Sequence, residues 1–253
     1  MISIVLFGTG NLATHLFKAL IKAKKFKVLQ VYNHKPESLE CFKEKTNTTT
    51  NLAEVIPADI YLIALKDDVI QELAHKVFYN KALVLHTSGA IPMNVLSSFE
   101  RFGVFYPLQT FSKNKSVDFK NIPICLEANN EQDLHLLEQL AREISEKVYR
   151  ISSEQRKSLH VAAVFVSNFV NYLYTEGQEI CKENKIPFEI LHPLILETAS
   201  KIIDLNPKEA QTGPAKRNDL AVIKSHLELL NEEQQKIYQL LTQSIQNLHG
   251  KEL

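Results

Sequence analysis

The sequence predicts an α/β fold with a doubly wound, mostly parallel sheet, followed by an all-helical domain. Three observations carry this expectation. Short β-branched and aromatic runs alternate with amphipathic stretches from Met1 to about Ser152. The run "ADIYLIALKDD" lacks polar and apolar alternation, as expected of a strand buried on both faces. From Ser153 onward the strand-like runs stop and helical patterns take over. The expected domains are therefore 1–152 for the sheet and 153–253 for the helices.

Taken in order, the expected strands are "ISIVLF", "FKVLQVY", "DIYLIAL", "ALVLHT", "GVFYPL", "IPICLEA" and "KVYRIS". Asn11 to Lys24, Asp68 to Tyr79 and Glu131 to Glu146 are the expected helices among them. In the second half, "SEQRKSLHVAAVFVSNFVNYLYTEGQEICKENK" has no proline and reads as one long helix from Ser153. Three more helices are expected over Pro187 to Leu205, Arg217 to Leu230 and Glu232 to Leu248.

Composition narrows the function classes. The 253 residues carry 29 Lys plus Arg and 29 Asp plus Glu, a net charge of zero, which argues against nucleic acid as a partner. No run approaches the ~20 apolar residues of a membrane span, and the first apolar run meets Gly8 too early for a signal peptide. Cys41, Cys125 and Cys181 lie far apart without a CxxC pair, which disfavours a disulfide framework or a zinc site. A cytoplasmic protein without membrane contact or metal is expected.

"GTGNLA" follows the first strand directly and opens a helix, the context that gives GxGxxG/A its meaning. Gly8 permits a tight turn, Gly10 allows close backbone approach, and Ala13 serves as the third small residue. A dinucleotide pyrophosphate is expected on Thr9, Asn11 and Leu12, at the positive end of the helix. Where an NAD site places a carboxylate for the ribose 2′-OH, this chain has Asn33, His34 and Lys35. That set suits the 2′-phosphate of NADP; the alternative is a polar turn with a solvated lysine.

Ligands in such sheets lie beyond the carboxyl ends of the strands. Leu65 and Lys66 are expected near the adenosine side. His86, Thr87 and Ser88 are expected near the nicotinamide, and Tyr106 and Gln109 on the substrate side. His86 reads equally as a satisfied strand-end histidine or an acid/base. On the long helix, His160, Val164, Asn168, Asn171 and Thr175 share one face at 100° per residue. The buried amides either satisfy one another or meet a ligand. Arg217, in "QTGPAKRND", either clamps an acidic substrate group or belongs to the charged start of the next helix.

Together "FGTGNLATHL", "LHTSGA", "YPLQTFS", "HVAAVFVSNF" and "TGPAKRND" resemble a group of bacterial proteins over almost the whole chain. Its members pair a Rossmann-like NADP-binding domain with a helical domain of unknown function. They are related to deazaflavin-dependent NADP oxidoreductases and, more distantly, to pyrroline-5-carboxylate reductase, prephenate dehydrogenase and 3-hydroxyacid dehydrogenases. The resemblance implies a cleft between the domains and a homodimer formed through the helical half. Asn168 is similar to the substrate-positioning asparagine of the hydroxyacid dehydrogenases, but Val164 replaces their catalytic lysine. Tyr106 stands where the group often has histidine.

These readings converge on an NADP-dependent oxidoreductase acting on a small polar, acidic substrate. His160 or His86 would donate the proton, Asn168 and Gln109 would orient the substrate with Tyr106 and Asn171, and Arg217 would hold its acidic group. The alternative is a non-catalytic NADP(H) sensor signalling through its helical dimer surface.

Overall fold

The structure, a computed structural model, describes residues 1–74 and 81–250. The chain divides into two compact units, Met1–Ser167 and Asn168–Leu253.

The first unit contains eight strands: β1 (Ile2–Phe7), β2 (Phe26–Tyr32), β3 (Asn47–Thr49), β4 (Ile60–Ile63), β5 (Leu83–His86), β6 (Arg101–Pro107), β7 (Ile124–Ala128) and β8 (Val148–Arg150). They form one sheet in the order β3-β2-β1-β4-β5-β6-β7-β8. Every neighbouring pair is parallel except β6 and β7. The chain winds one way from β1 to β3 and the other way from β4, so the strand order reverses between β1 and β4. A crevice opens beyond the strand ends at such a reversal. The helices are α1 (Asn11–Leu20), the four-residue α2 (Glu40–Lys43), α3 (Asp67–Ala74), α4 (Glu131–Ile144) and α5 (Ser153–Ala163). The expected continuation of α3 over 75–79 lies outside the described residues.

The mostly parallel sheet is covered on both faces. Ile4 and Leu6 of β1 pack with Leu16 and Phe17 of α1 and Leu137 and Leu140 of α4. Val5 and Phe7 point the other way, to Ile63, Ile70, Leu73 and Leu96. Two-sided burial explains why these strands read as continuous apolar runs. The short β3 was not among the expected strands. Its sequence, Asn-Thr-Thr, carries no apolar signal, and it occupies the sheet edge, where only one side pairs.

The long helix expected after Ser152 begins at a capping box. The Ser152 side chain accepts from the Gln155 N–H, and the Gln155 side chain accepts in return from the Ser152 N–H. It continues as α5, a π-helical turn over Val164–Phe169, and α6 (Val170–Glu183). A π turn holds more residues than an α turn, so the 100° step fails across it. His160 and Asn168 therefore do not share a face by that count. The second unit goes on through α7 (His192–Asp204), α8 (Pro207–Ala210), α9 (Leu220–Glu228) and α10 (Glu232–His249). Gln235 ties the last two by donating to the carbonyls of Leu227 and Leu230.

One buried ion pair fixes α4 to the sheet. Asp133, with its side chain 1% exposed, accepts a forked contact from Arg101 of β6 and a further bond from Asn130. Removing the arginine leaves a buried carboxylate without its cation, which costs about 3 kcal/mol. Arg101→Leu is expected to lower the unfolding free energy by that amount, read as a lower denaturant midpoint with an unchanged slope of the transition.

Candidate functional site

The turn after β1 is built around Gly8. Its φ is +114°, and a Cβ there would lie 2.2 Å from the Ala64 carbonyl oxygen. Its N–H donates to Tyr32 O at 2.9 Å, tying the turn to the end of β2. Gly10 then caps α1 in extended backbone, with no side chain bonded to the first-turn N–H groups. A Cβ on Gly10 would meet nothing within 4 Å, so open space faces this residue. A free helix start beside open space is the arrangement an anion requires.

Asn33, buried at the end of β2, braces the turn from the side. Its Nδ2 donates to Thr9 Oγ1 at 2.8 Å, and its Oδ1 accepts from the Lys35 N–H at 2.9 Å. No carboxylate occupies this position. His34 and Lys35 follow as exposed side chains at the edge.

A cavity of about 380 Å³ lies over the turn. Among the expected cofactor residues, Thr9, Gly10, Asn11 and Leu12 line it from the turn and helix, and Asn33 from β2. Leu65 and Lys66 line it after β4, and Thr87 and Ser88 after β5. Gly8 lies in the turn itself, and His34 and Lys35 are not on the wall. Thr87 and Ser88 are held by local bonds. Thr87 Oγ1 donates to Ile63 O, and Ser88 Oγ accepts from the N–H groups of Ala90 and Ile91.

His160 of α5 completes the wall. Its Nδ1 is 3.1 Å from the Tyr106 hydroxyl at the end of β6. Gly89 passes so close to the pair that a Cβ would lie 2.6 Å from His160 Nδ1 and 2.8 Å from the Tyr106 oxygen. A side chain at residue 89 would therefore separate them. Burial, with the Cys125 thiol adding to it, pushes the Tyr106 hydroxyl up to about 12. It stays protonated at neutral pH and can donate to His160.

His86 belongs elsewhere. It is fully buried, is absent from the cavity wall, and its Nδ1 accepts from the Ser88 N–H. Burial first and the nearby Arg156 charge second hold its pKa down to about 3; the Pro92 carbonyl pulls the other way, but Nε2 has no hydrogen-bond partner. Of the two readings of His86, its burial away from the cavity favours the strand-end histidine over the acid/base. Gln109 is exposed, and its side chain accepts from the Thr110 N–H. In the second unit Asn168 lies in the π turn and Asn171 at the start of α6, both exposed. Arg217 is also exposed, two residues before Asp219, which caps α9 by accepting from the Val222 N–H.

Sequence reasoning missed Arg156 and Glu127. Arg156 is 1% exposed. Its Nη1 reaches Glu127 Oε2 at 2.5 Å, and its Nη2 donates to Ile91 O at 2.6 Å. Glu127 also accepts from the Ser153 N–H and hydroxyl, while Ser153 Oγ accepts from the Met93 N–H. The cluster joins β7, the first turn of α5 and the segment after Gly89. It sets one cavity wall, including His160 one turn further along α5. No local pattern announces it, because the partners come from distant elements.

The His86 shift gives a pH dependence. Its folded pKa of about 3 lies below the ordinary 6.5, so in that interval the unfolded chain holds one more proton. Stability is expected to fall as pH drops from 6.5 towards 3. His86→Asn, which keeps an acceptor for the Ser88 N–H, should flatten that slope by about one proton in denaturant titrations across the range.

Residues 3–87 match the family described as NADP oxidoreductase, coenzyme F420-dependent, and residues 122–245 match a domain of unknown function, DUF2520. No curated protein matches. The chain is 46% identical to the "putative NADP oxidoreductase BF3122" of Bacteroides fragilis, covering 97% of this chain and 98% of that one with a TM-score of 0.89. An imine reductase of Myxococcus stipitatus, solved with NADP+, is 11% identical over 97% of this chain and 93% of its own, with a TM-score of 0.71. A 1-pyrroline-5-carboxylate reductase of Streptococcus pyogenes is 16% identical over 99% and 97%, with a TM-score of 0.67. These last two are likenesses of fold. From the close relative and the two matched regions in sequence order, the chain belongs to the family of NADP oxidoreductases in which an F420-dependent-type Rossmann domain precedes DUF2520.

Proposed function

We propose that the protein is an NADP-dependent oxidoreductase acting on a small polar, acidic substrate. The observation that carries the reading is the uncapped start of α1 at Gly10, opening on a cavity whose β2 side offers Asn33 in place of a carboxylate. Bound NADP(H) supplies the hydride. The N–H groups of the α1 first turn hold the pyrophosphate. Asn33 keeps the turn in shape, and Lys35 with His34 receives the 2′-phosphate at the exposed edge. A glutamate there would repel it.

His160 is the proton donor. It borders the cavity, and the Tyr106 hydroxyl fixes its ring through Nδ1, leaving Nε2 for the substrate. Gln109, Asn168 and Asn171 are the candidates for orienting the substrate, and Arg217 for holding an acidic group by a charge-assisted bond.

The second unit supports a homodimer through its helices. Ile203 is 82% exposed, Leu229 80% and Leu196 70%, while Cys181 and Ala215 are its buried apolar residues among those described. Large apolar side chains left this exposed mark a surface for a partner where they gather. Three free cysteines suit a cytoplasmic setting, and no described helix is long and apolar enough to cross a membrane.

Two measurements test the function. At a hundred times its dissociation constant, NADPH should add about 2.7 kcal/mol of stability and raise the melting temperature by several degrees. NADH should do less, and Lys35→Glu should remove the difference, since the backbone bond to Asn33 survives the change. Absence of any shift with either nucleotide overturns the cofactor reading. In a substrate screen, His160→Ala is expected to lose about 10²–10⁴-fold in turnover while keeping NADPH affinity. Retained NADPH binding with no substrate ever turned over by the wild type would instead favour a sensor.

A further inference from the structure

A second cavity, of about 480 Å³, lies on the α1 and α4 side of the sheet and shares no lining residue with the first. Two lysine-bearing stretches that the sequence keeps far apart meet there. Lys18 and Lys22 come from α1 and the residues after it, and Lys113 and Lys120 from the segment between β6 and β7. None of the four ammonium groups makes an ion pair or hydrogen bond with the described residues. Two carboxylates, Asp118 and Glu143, also line the cavity and keep their charge, but each is turned to neutral N–H donors. Asp118 accepts from the Lys120 N–H and from Asn121, and Glu143 accepts from the Lys24 N–H. In a chain of zero net charge, four lysines against two carboxylates in one concave site leave a local excess of two positive charges, which favours an anion.

The site is held in shape and has an apolar floor. Asn11 Nδ2 donates to Phe111 O at 2.9 Å, and His15 Nε2 lies 2.9 Å from Ser112 O, fastening the lysine-bearing segment to α1. Phe119, which lines the cavity, stacks on Phe111 with ring centres 5.9 Å apart. Val117 lies beside it on the wall. We propose that this cavity binds a small organic phosphate, with the lysines around its phosphate group and its organic body on the Phe119 floor. Lysine serves phosphate as a point charge, which suits a cavity lined by four of them. The volume lies within the range of small-molecule sites.

Calorimetric titration of the full chain, held in saturating NADP+ so that the α1 start is filled, with phenyl phosphate and with inorganic phosphate tests this. Phenyl phosphate is expected to bind one per chain and several-fold more tightly than inorganic phosphate. Both should weaken by about tenfold or more in Lys22→Glu/Lys113→Glu, with the NADPH thermal shift unchanged. Lys18→Met/Lys120→Met should show the same loss with no introduced acid, so a folding defect in one variant does not decide the matter. The proposal is overturned by no binding, by equal affinity for the two ligands, or by affinity that both lysine variants retain. It is equally overturned if Lys201→Glu/Lys224→Glu, on the second unit, causes the same loss.

Discussion

Gly8 has no room for a side chain, and the crevice depends on that. β1 and β4 run parallel with Phe7 level with Ile63, and the Ala64 N–H donates to Phe7 O at 2.8 Å. The two strand ends are therefore locked side by side where the chain must turn away from β1. A Cβ at Gly8 would enter the Ala64 carbonyl, and its φ is one that L-residues rarely adopt. Because the turn is tight, α1 begins three residues beyond Gly8, with a glycine as its cap and no capping side chain. The N–H groups of the first turn are therefore left without a capping side chain, facing the cavity. Asn33 and Thr9 then close the turn against β2.

The far wall of the crevice is organised by charge rather than by backbone. Burying Arg156 is costly, and the cost is offset only because Glu127 and the Ile91 carbonyl meet it at short range. A buried pair of this kind is weak evidence for stability, but it specifies geometry: α5 cannot shift along β7 without stranding an ion. It also divides the polar groups around it. His86, Tyr106 and Cys125 are enclosed near that cation, and burial holds each in its neutral form at neutral pH. His160 is the histidine that borders the cavity, which leaves it open to a ligand where the other three groups are enclosed.

How much of this could be read in the sequence follows from how local each cause is. β1 and β2 were legible to the residue, because two-sided burial demands unbroken apolar runs and Gly8 and Asn33 end them. The glycine turn was legible for the same reason: its requirements act within a few residues. β3 was not, since three polar edge residues make no pattern. The π turn was not, because helical periodicity assumes the step that it breaks. Arg156 looked like an ordinary residue near a helix start, and only Glu127, on another strand, makes it a buried clamp. His86 was ambiguous because a strand-end histidine looks the same whether the chain covers it or leaves it open.

The α1 helix offers cavities near both of its ends, and the physics differs between them. At the start, the helix offers its backbone N–H groups to the crevice, and no lysine of the helix is needed. Near the other end, Lys18 lies in the last turn, where a cation complements the negative end of the helix dipole whether or not an anion is present. Lys18 alone therefore says little about ligands. Lys113 is different, because it lies outside any helix and directly follows the residues that Asn11 and His15 pin in place. Gathering like charges there is unfavourable by itself, and an anion among them removes the repulsion. The same fastening joins the two cavities, since Asn11 lines the crevice and His15 lines the basic site.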